Sequence, residues 1–428
     1  MPRYDTMNTD QLRAEQAHLQ QEYAAYKAAG LKLNMARGRP STEQLNLSNP
    51  LLDMLNSSSD FISEEGIDVR NYGTTTGLTE AKRLMACMVD EDPEHVVVGG
   101  VSSLNLMYNT VAQFLDFGCL GSKPWSQYDG IKWICPCPGY DRHFQICETF
   151  GIKMIPVAMT PDGPDMDEVE RIAASDERVK GIWCVPKYSN PTGVTFSDAT
   201  VRRLASMTCA ADDFRIFWDN AYGVHHLHNT PECQDKLLDL GAACVEAGNP
   251  HRYVKFASTS KVTFAGGGIS AMAASQEAID EVTSHLSIQT IGYDKINQLR
   301  HVRFLKDAAG IASHMEKHAA LLRPKFETVD ERLTAGLSEA GIGTWTKPRG
   351  GYFISFEAPL GCAKRSVELA REAGVIMTSA GATWPYGKDP QDTNVRIAPS
   401  LPPVAELAQA MDVFTCCVKL AYLERVLG

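Results

Sequence analysis

Lys261 lies in the run KFASTSKVTFAGGGISA, Lys255 to Ala271, with hydroxyls before it and glycines after it. A lysine amine becomes a nucleophile once desolvation or a neighbouring cation lowers its pKa. Ser258, Thr259 and Ser260 can donate hydrogen bonds to an anion, and Gly266, Gly267 and Gly268 let backbone approach closely. An amine beside an anion cradle suits a Schiff base to a phosphorylated aldehyde, although this run alone also fits a structural lysine.

Two further stretches offer partners. In FWDNAYGVHHL, Asp219 ends an apolar strand, where a carboxylate is costly unless paired. Tyr222, three residues on, supplies a phenol able to hydrogen-bond a ring oxygen. Taken alone, Asp219 reads as well as a strand-end residue capping a turn. In VPKYSNPTGVTFSD, Asn190-Pro191-Thr192-Gly193 is a turn signal after a buried strand. That placement brings Asn190 to the same sheet edge as Asp219 and Lys261.

The elements that must position these residues follow a regular alternation. Apolar runs (HVVVGG, IKWICPCP, KGIWCVP, FRIFWDNAY, RYVKFAS) are separated by helix-like stretches at 104–116, 141–150, 198–208 and 237–247. Such alternation implies a mostly parallel sheet covered on both faces, with ligands bound beyond the carboxyl ends of its strands. Before it, a helix from Thr9 is expected to end at Gly30, followed by a polar loop. After about residue 300 the pattern becomes a long helix over 313–341, a strand at GYFISFEA, a helix, a strand at NVRIAPS and a closing helix from Pro403, a smaller α+β unit.

Bulk composition narrows the class. The 428 residues are 44% hydrophobic and 22% charged, ordinary for a globular chain, and the net charge of −11 argues against nucleic acid or an anionic membrane as partner. No run approaches the roughly 20 apolar residues of a membrane span, and the N-terminus lacks a signal-peptide core, so a cytoplasmic location is expected. The 12 cysteines fall singly in apolar contexts, as at Cys87, Cys184 and Cys209. The C-x-C pair Cys135 and Cys137 has no second cluster, so reduced buried thiols and no metal site are expected.

Taken together, N-P-x-G, D-x-x-Y and S-x-S-K resemble the fold-type I, pyridoxal-phosphate-dependent aminotransferases (class I/II). The segments ARGRPSTEQLNLS, NYGTTTG, SSLNLMY, PGYDRH, SNPTGVTFS and DNAYGVHHL are similar to a divergent bacterial subgroup of aspartate aminotransferases. The resemblance implies an α/β fold with a seven-stranded, mostly parallel sheet in a large cofactor domain over 51–310. Residues 1–50 would be an N-terminal helix and substrate loop belonging to the small domain, and 311–428 its C-terminal part. It implies pyridoxal 5′-phosphate as cofactor, with Lys261 as Schiff-base lysine and proton carrier. Asp219 would sit on the pyridinium nitrogen, Asn190 and Tyr222 on the phenolic oxygen, and Tyr140 on the ring face. The phosphate would lie at Val101, Ser102, Ser103 and Ser258, with Tyr72 reaching in from a neighbouring subunit of a homodimer. Arg396 would bind the substrate α-carboxylate, and Gly38 and Arg37 belong to the Asn34–Pro40 loop that closes over substrate, where Arg39 is a further cation.

The sequence also departs from that class. Eight residues after Lys261, where the class carries a phosphate-binding arginine, stands Ile269; Lys187 is a candidate substitute. The resemblance implies an arginine from the partner subunit that reads a distal carboxylate, and SIQTIGYDKINQLRH offers Arg300 for it. The implied activity is amino transfer between an L-amino acid, aspartate or glutamate foremost, and a 2-oxo acid by a ping-pong route. Lyases of the same fold, or an aminotransferase of other specificity, share every cofactor residue. A regulator carrying such a domain would need a DNA-binding unit, and only about 30 residues precede NMARGRP.

Overall fold

The computed structural model describes residues 3–428. Its centre is an eight-stranded sheet in the order Val96–Gly99, Ser270–Ala273, Tyr253–Ser258, Arg215–Asp219, Val179–Cys184, Lys132–Cys137, Lys153–Thr160, Gly163–Pro164. The five strands from Tyr253–Ser258 to Lys153–Thr160 pair in parallel, and Ser270–Ala273 runs antiparallel to both its neighbours. The resemblance implies seven strands; the eighth is the two-residue Gly163–Pro164, which folds back antiparallel on the edge. So short an edge strand has no periodicity to read.

The middle strands are buried along their whole length, as expected where helices cover both faces. One face packs Leu106, Val111 and Phe114 of helix Ser103–Phe117, Phe144 and Ile146 of Asp141–Thr149, and Ile279 and Val282 of Gln276–Gln289. The other packs Val169 and Ile172 of Met166–Ser175, Val201 and Leu204 of Asp198–Ser206, and Leu240 and Ala243 of Leu240–Glu246. That last helix starts three residues later than the 237 expected, where Asp239 accepts from the Gly241 N–H and caps it.

A second apolar cluster joins the two ends of the chain. Leu12 and Leu19 of helix Thr9–Ala28 share it with Leu407, Met411 and Phe414 of the closing helix Val404–Leu427. Strand Leu33–Met35 pairs in parallel with Val375–Met377, and Thr344–Trp345, Ile354–Glu357 and Asn394–Ile397 form an antiparallel sheet. The first helix opens with a capping box between Asn8 and Gln11. The long helix runs over Ala308–Leu333 and a π turn Thr334–Ser338, not from 313, because Asp307 caps it by accepting from the Gly310 N–H.

All 12 cysteines are free. Cys135 and Cys137 are buried on their strand as expected, whereas Cys87 is exposed, on the outer side of helix Thr79–Val89.

Beneath the sheet lies a buried ion pair. Lys180 Nζ meets Asp213 Oδ1 at 2.6 Å, Trp125 Nε1 donates to Asp213 Oδ2 at 2.7 Å, and the ammonium stands 3.8 Å from the Tyr128 ring centroid. Removing one partner strands the other charge, so Lys180→Met is expected to destabilise the fold by about 3–5 kcal/mol. Urea unfolding of the variant checks this, and a change below about 1 kcal/mol shows that Asp213 is held by Trp125 alone.

Candidate active site

The residues singled out from sequence sit at the carboxyl edge of the sheet because each follows a strand. Asp219 ends Arg215–Asp219, Ser258 ends Tyr253–Ser258, Tyr140 follows Lys132–Cys137, and Asn190 follows Val179–Cys184. Tyr140 and Asn190 line a cavity of about 590 Å3 whose wall also includes Tyr222, Lys261, Arg396 and the Ala36–Arg39 segment. A separate cavity of about 150 Å3, between Cys87, His226 and Met315, contains none of these residues.

Lys261 closes the 3-10 turn Thr259–Lys261, and its Nζ lies 4.8 Å from the centroid of the Tyr222 ring. Tyr222 is buried, and burial pushes its phenol pKa well up, with the Asp219 charge adding and Arg396 countering. Tyr140 is likewise pushed up to about 12 by burial. Asp219 is 2% exposed; its Oδ2 hydrogen-bonds His143 Nε2 at 3.0 Å, while its Oδ1 is buried without a partner. His143 in turn stacks on Trp183, 4.5 Å between centroids and 13° between planes.

Arg396 is 6% exposed on the strand Asn394–Ile397. Its Nη1 donates to Asp141 Oδ1 at 2.9 Å and to Asn190 Oδ1 at 3.3 Å, its Cζ lies 4.9 Å from the Phe353 ring centroid, and its Nε has no partner. A guanidinium fixed on one edge keeps donors for a carboxylate. Gly38 crosses the Phe353 ring so closely that a Cβ there would lie 2.4 Å from Cζ. Only glycine lets this segment roof the cavity without displacing the ring.

At the other end of the lysine turn, Ser258 Oγ donates to Ser260 Oγ at 3.1 Å, and Ser260 Oγ donates to the Val101 carbonyl at 2.8 Å. Ser102 is the N-cap of helix Ser103–Phe117 but makes no side-chain cap bond. The Asn105 N–H donates to the Ser102 carbonyl at 3.1 Å, while those of Ser103 and Leu104 point to the open end of the helix, at the positive end of the dipole.

Behind the lysine stands a buried imidazole cradle that sequence reading missed. His225 Nε2 approaches the Lys261 carbonyl at 3.3 Å, His314 Nε2 the Val262 carbonyl at 2.8 Å, and His301 Nε2 the Thr263 hydroxyl at 2.9 Å. His318 joins His314 at 3.2 Å, and Gln44 donates from Nε2 to His318 Nδ1 at 3.1 Å and to Tyr352 Oη at 2.9 Å. His143 was also missed, although it follows Tyr140 by one helical turn in PGYDRH.

One expectation changes. Lys187 lines a different cavity, with Asp90, Asn220, Asp239 and Lys255, so it is not placed to replace the missing arginine. Ile269 is 2% exposed and its N–H donates to Thr259 Oγ1 at 2.9 Å, making that position part of the core. Arg300, on helix Lys295–Leu305, lies outside this chain's own Lys261 cavity, and its expected role is towards a partner subunit's site. Tyr72 is 80% exposed and stands apart from that cavity.

A family model described as aspartate amino-transferase matches residues 7–428. The chain belongs to that family. It is 47% identical over 408 residues to an aspartate aminotransferase of Corynebacterium glutamicum, covering 95% of this chain and 93% of that one. The crystal structure of an aspartate transaminase from the same organism superposes with a TM-score of 0.94 at 44% identity, over 98% of each chain. The α-aminoadipate aminotransferase LysN of Thermus thermophilus, solved with N-(5′-phosphopyridoxyl)-L-leucine, shares the fold at 19% identity and a TM-score of 0.73, over 95% of this chain and 98% of that one. The protein is thus a fold-type I aminotransferase acting on small amino and 2-oxo acids. No helix among the described residues is long and apolar enough to cross a membrane.

The imidazole cradle generates a pH dependence. Burial lowers His301 and His318 from 6.5 to about 4, and lowers His225 and His314 as well. Below pH 6.5 the unfolded chain takes up protons that the fold refuses, so stability is full above 6.5 and lost as pH falls towards 4. The melting temperature is expected to drop over that window, and His318→Gln to flatten the drop. Parallel profiles for the two proteins would remove His318 from this account.

Proposed function

We propose that this aminotransferase uses pyridoxal 5′-phosphate to move an amino group from L-aspartate or L-glutamate to a 2-oxo acid by a ping-pong route. The observation that supports this most is the convergence of Lys261, Tyr222, Asn190, Tyr140 and Arg396 on one cavity. The dicarboxylic donor is further supported by the Corynebacterium glutamicum relative, an aspartate aminotransferase.

The residues fit that cofactor. The unpaired, buried Asp219 Oδ1 asks for a cationic N–H donor, which a protonated pyridine nitrogen provides. The uncapped helix start at Ser102 and Ser103 offers neutral N–H donors to a phosphate, and the hydroxyls of Ser258 and Ser260 would turn from each other and from the Val101 carbonyl to join them. When bound, the cofactor supplies the carbonyl that takes the amino group and an electron sink for the substrate Cα.

This chain's residues would then divide the work. Lys261 would hold the cofactor between turnovers and would take and return the proton of the substrate Cα. Asp219, oriented by His143, keeps the ring nitrogen protonated. Asn190 and Tyr222 hydrogen-bond the phenolic oxygen, and Tyr140 covers the ring face. Arg396 clamps the α-carboxylate and so aims the Cα–H bond. The Gly38 segment, with Arg37, shuts water out from above Phe353. In the same reading Tyr72 serves the phosphate of a second copy in a homodimer. Residues 1–50 join 311–428 as a small domain beside 51–310, and the apolar cluster shared by Leu12, Leu19 and Phe414 supports that division.

The test is the absorption spectrum of the purified protein with cofactor, before and after L-aspartate is added without a keto acid. A visible band that gives way to one in the near ultraviolet is expected. Lys261→Ala should abolish the band change and lower kcat by at least about 10²–10⁴-fold. If no visible band forms after reconstitution, the cofactor assignment fails; a band that answers only to another amino acid moves the donor.

A further inference from the structure

The cavity wall is unbalanced in charge. Arg37, Arg39, Arg142, Arg396 and Lys261 line it, and Asp141 is the one carboxylate among the described residues that does. Asp141 is already engaged, 2.9 Å from Arg396 Nη1. Such a wall favours an anion with more than one charge: one carboxylate on Arg396 leaves the remaining cations unanswered.

We propose that the second carboxylate of the substrate is read by Arg142, supplied by the same chain as Lys261 and Arg396. The inference rests on the dicarboxylic donor proposed above. Arg142 is the second residue of helix Asp141–Thr149, where the positive dipole end disfavours a cation. Among the described residues its guanidinium meets a neutral group, donating from Nη1 to Gln145 Oε1 at 2.9 Å. An arginine kept against the dipole, facing a cavity crowded with cations, gains most when an anion arrives.

The helix also fixes where that anion would lie. Asp141 locks this turn to Arg396, while Arg142 and Gln145 face the cavity from the same turn. His143, between them, is held by Asp219 and Trp183. The separation between the two carboxylate readers is therefore set by a rigid element. Arg37 and Arg39 flank Gly38 on an irregular segment, whose Ala36 and Arg39 carbonyls accept from the Thr378 and Ser400 hydroxyls.

The experiment compares wild type, Arg142→Met and Arg37→Met as holoenzymes, with L-aspartate and L-alanine as donors. Binding of succinate and butyrate is followed by calorimetry alongside. Arg142→Met is expected to lower kcat/KM for aspartate and succinate affinity by at least about 30-fold, the scale of losing one partner of a charge pair. Its kcat/KM for alanine and its butyrate affinity should stay within about threefold, and Arg142→Lys should recover part of the aspartate loss. The inference is overturned if aspartate and alanine fall together, which would make Arg142 a support for Arg396. Unchanged succinate binding, or a selective loss in Arg37→Met instead, overturns it as well. A wild-type enzyme that prefers alanine to aspartate sinks the dicarboxylic reading itself, whereas an aspartate preference surviving in Arg142→Met sinks only this inference.

Discussion

A carboxylate that is 2% exposed, with one oxygen left unpaired, is the constraint around which the site is organised. Water would stabilise Asp219 by several kcal/mol more than an apolar sheet edge does, unless donors replace it. The fold supplies one, His143, and fixes it by stacking its ring on Trp183, which sits on the strand beside the one that ends in Asp219. The carboxylate's orientation is therefore a consequence of sheet packing and not of local flexibility. The oxygen that remains defines where a cationic donor must come.

The lysine is treated in the opposite way on its two sides. Behind it, His225, His314 and His301 touch consecutive groups of Lys261, Val262 and Thr263, and burial keeps the imidazoles neutral. Neutral rings hold the turn through hydrogen bonds without adding charge beside the amine. Gln44 carries this network into the capping box Ser41–Gln44, a few residues beyond the Gly38 segment that roofs the cavity. In front of the lysine, cations collect. The backbone of the turn is fixed by uncharged contacts, so the charge in the cavity is free to select substrate.

The sheet edge was legible in the sequence because apolar runs end where the reactive residues begin; Asp219, Asn190 and Lys261 each close or follow such a run. Arg396 was legible through the resemblance and Gly38 through its loop. The imidazole cradle was not, since its contacts join positions 36 to 52 residues apart, and no periodicity encodes such a pairing. Lys187 misled for a local reason. It stands three residues before Asn190, but Tyr188 lies in the left-handed region with φ of 52°, and the chain turns between them. The lysine consequently faces Asp90 and Asp239 and not the Lys261 cavity.

Ile269 shows how the missing arginine is absorbed. Its side chain is core, and its N–H ties Thr259 to the following strand, so the turn is braced by packing where the class would use a salt bridge to phosphate. Burying a guanidinium at a site of 2% exposure would demand a permanent counterion. Under the proposed function the phosphate instead meets helix N–H groups and the linked hydroxyls of Ser258 and Ser260, all uncharged. A consequence follows for selectivity. With no arginine at that position, the arginines of the cavity, Arg37, Arg39, Arg142 and Arg396, are left to the substrate. Under that reading, discrimination among amino acids would fall on the number and spacing of their carboxylates, which guanidinium groups read bidentately.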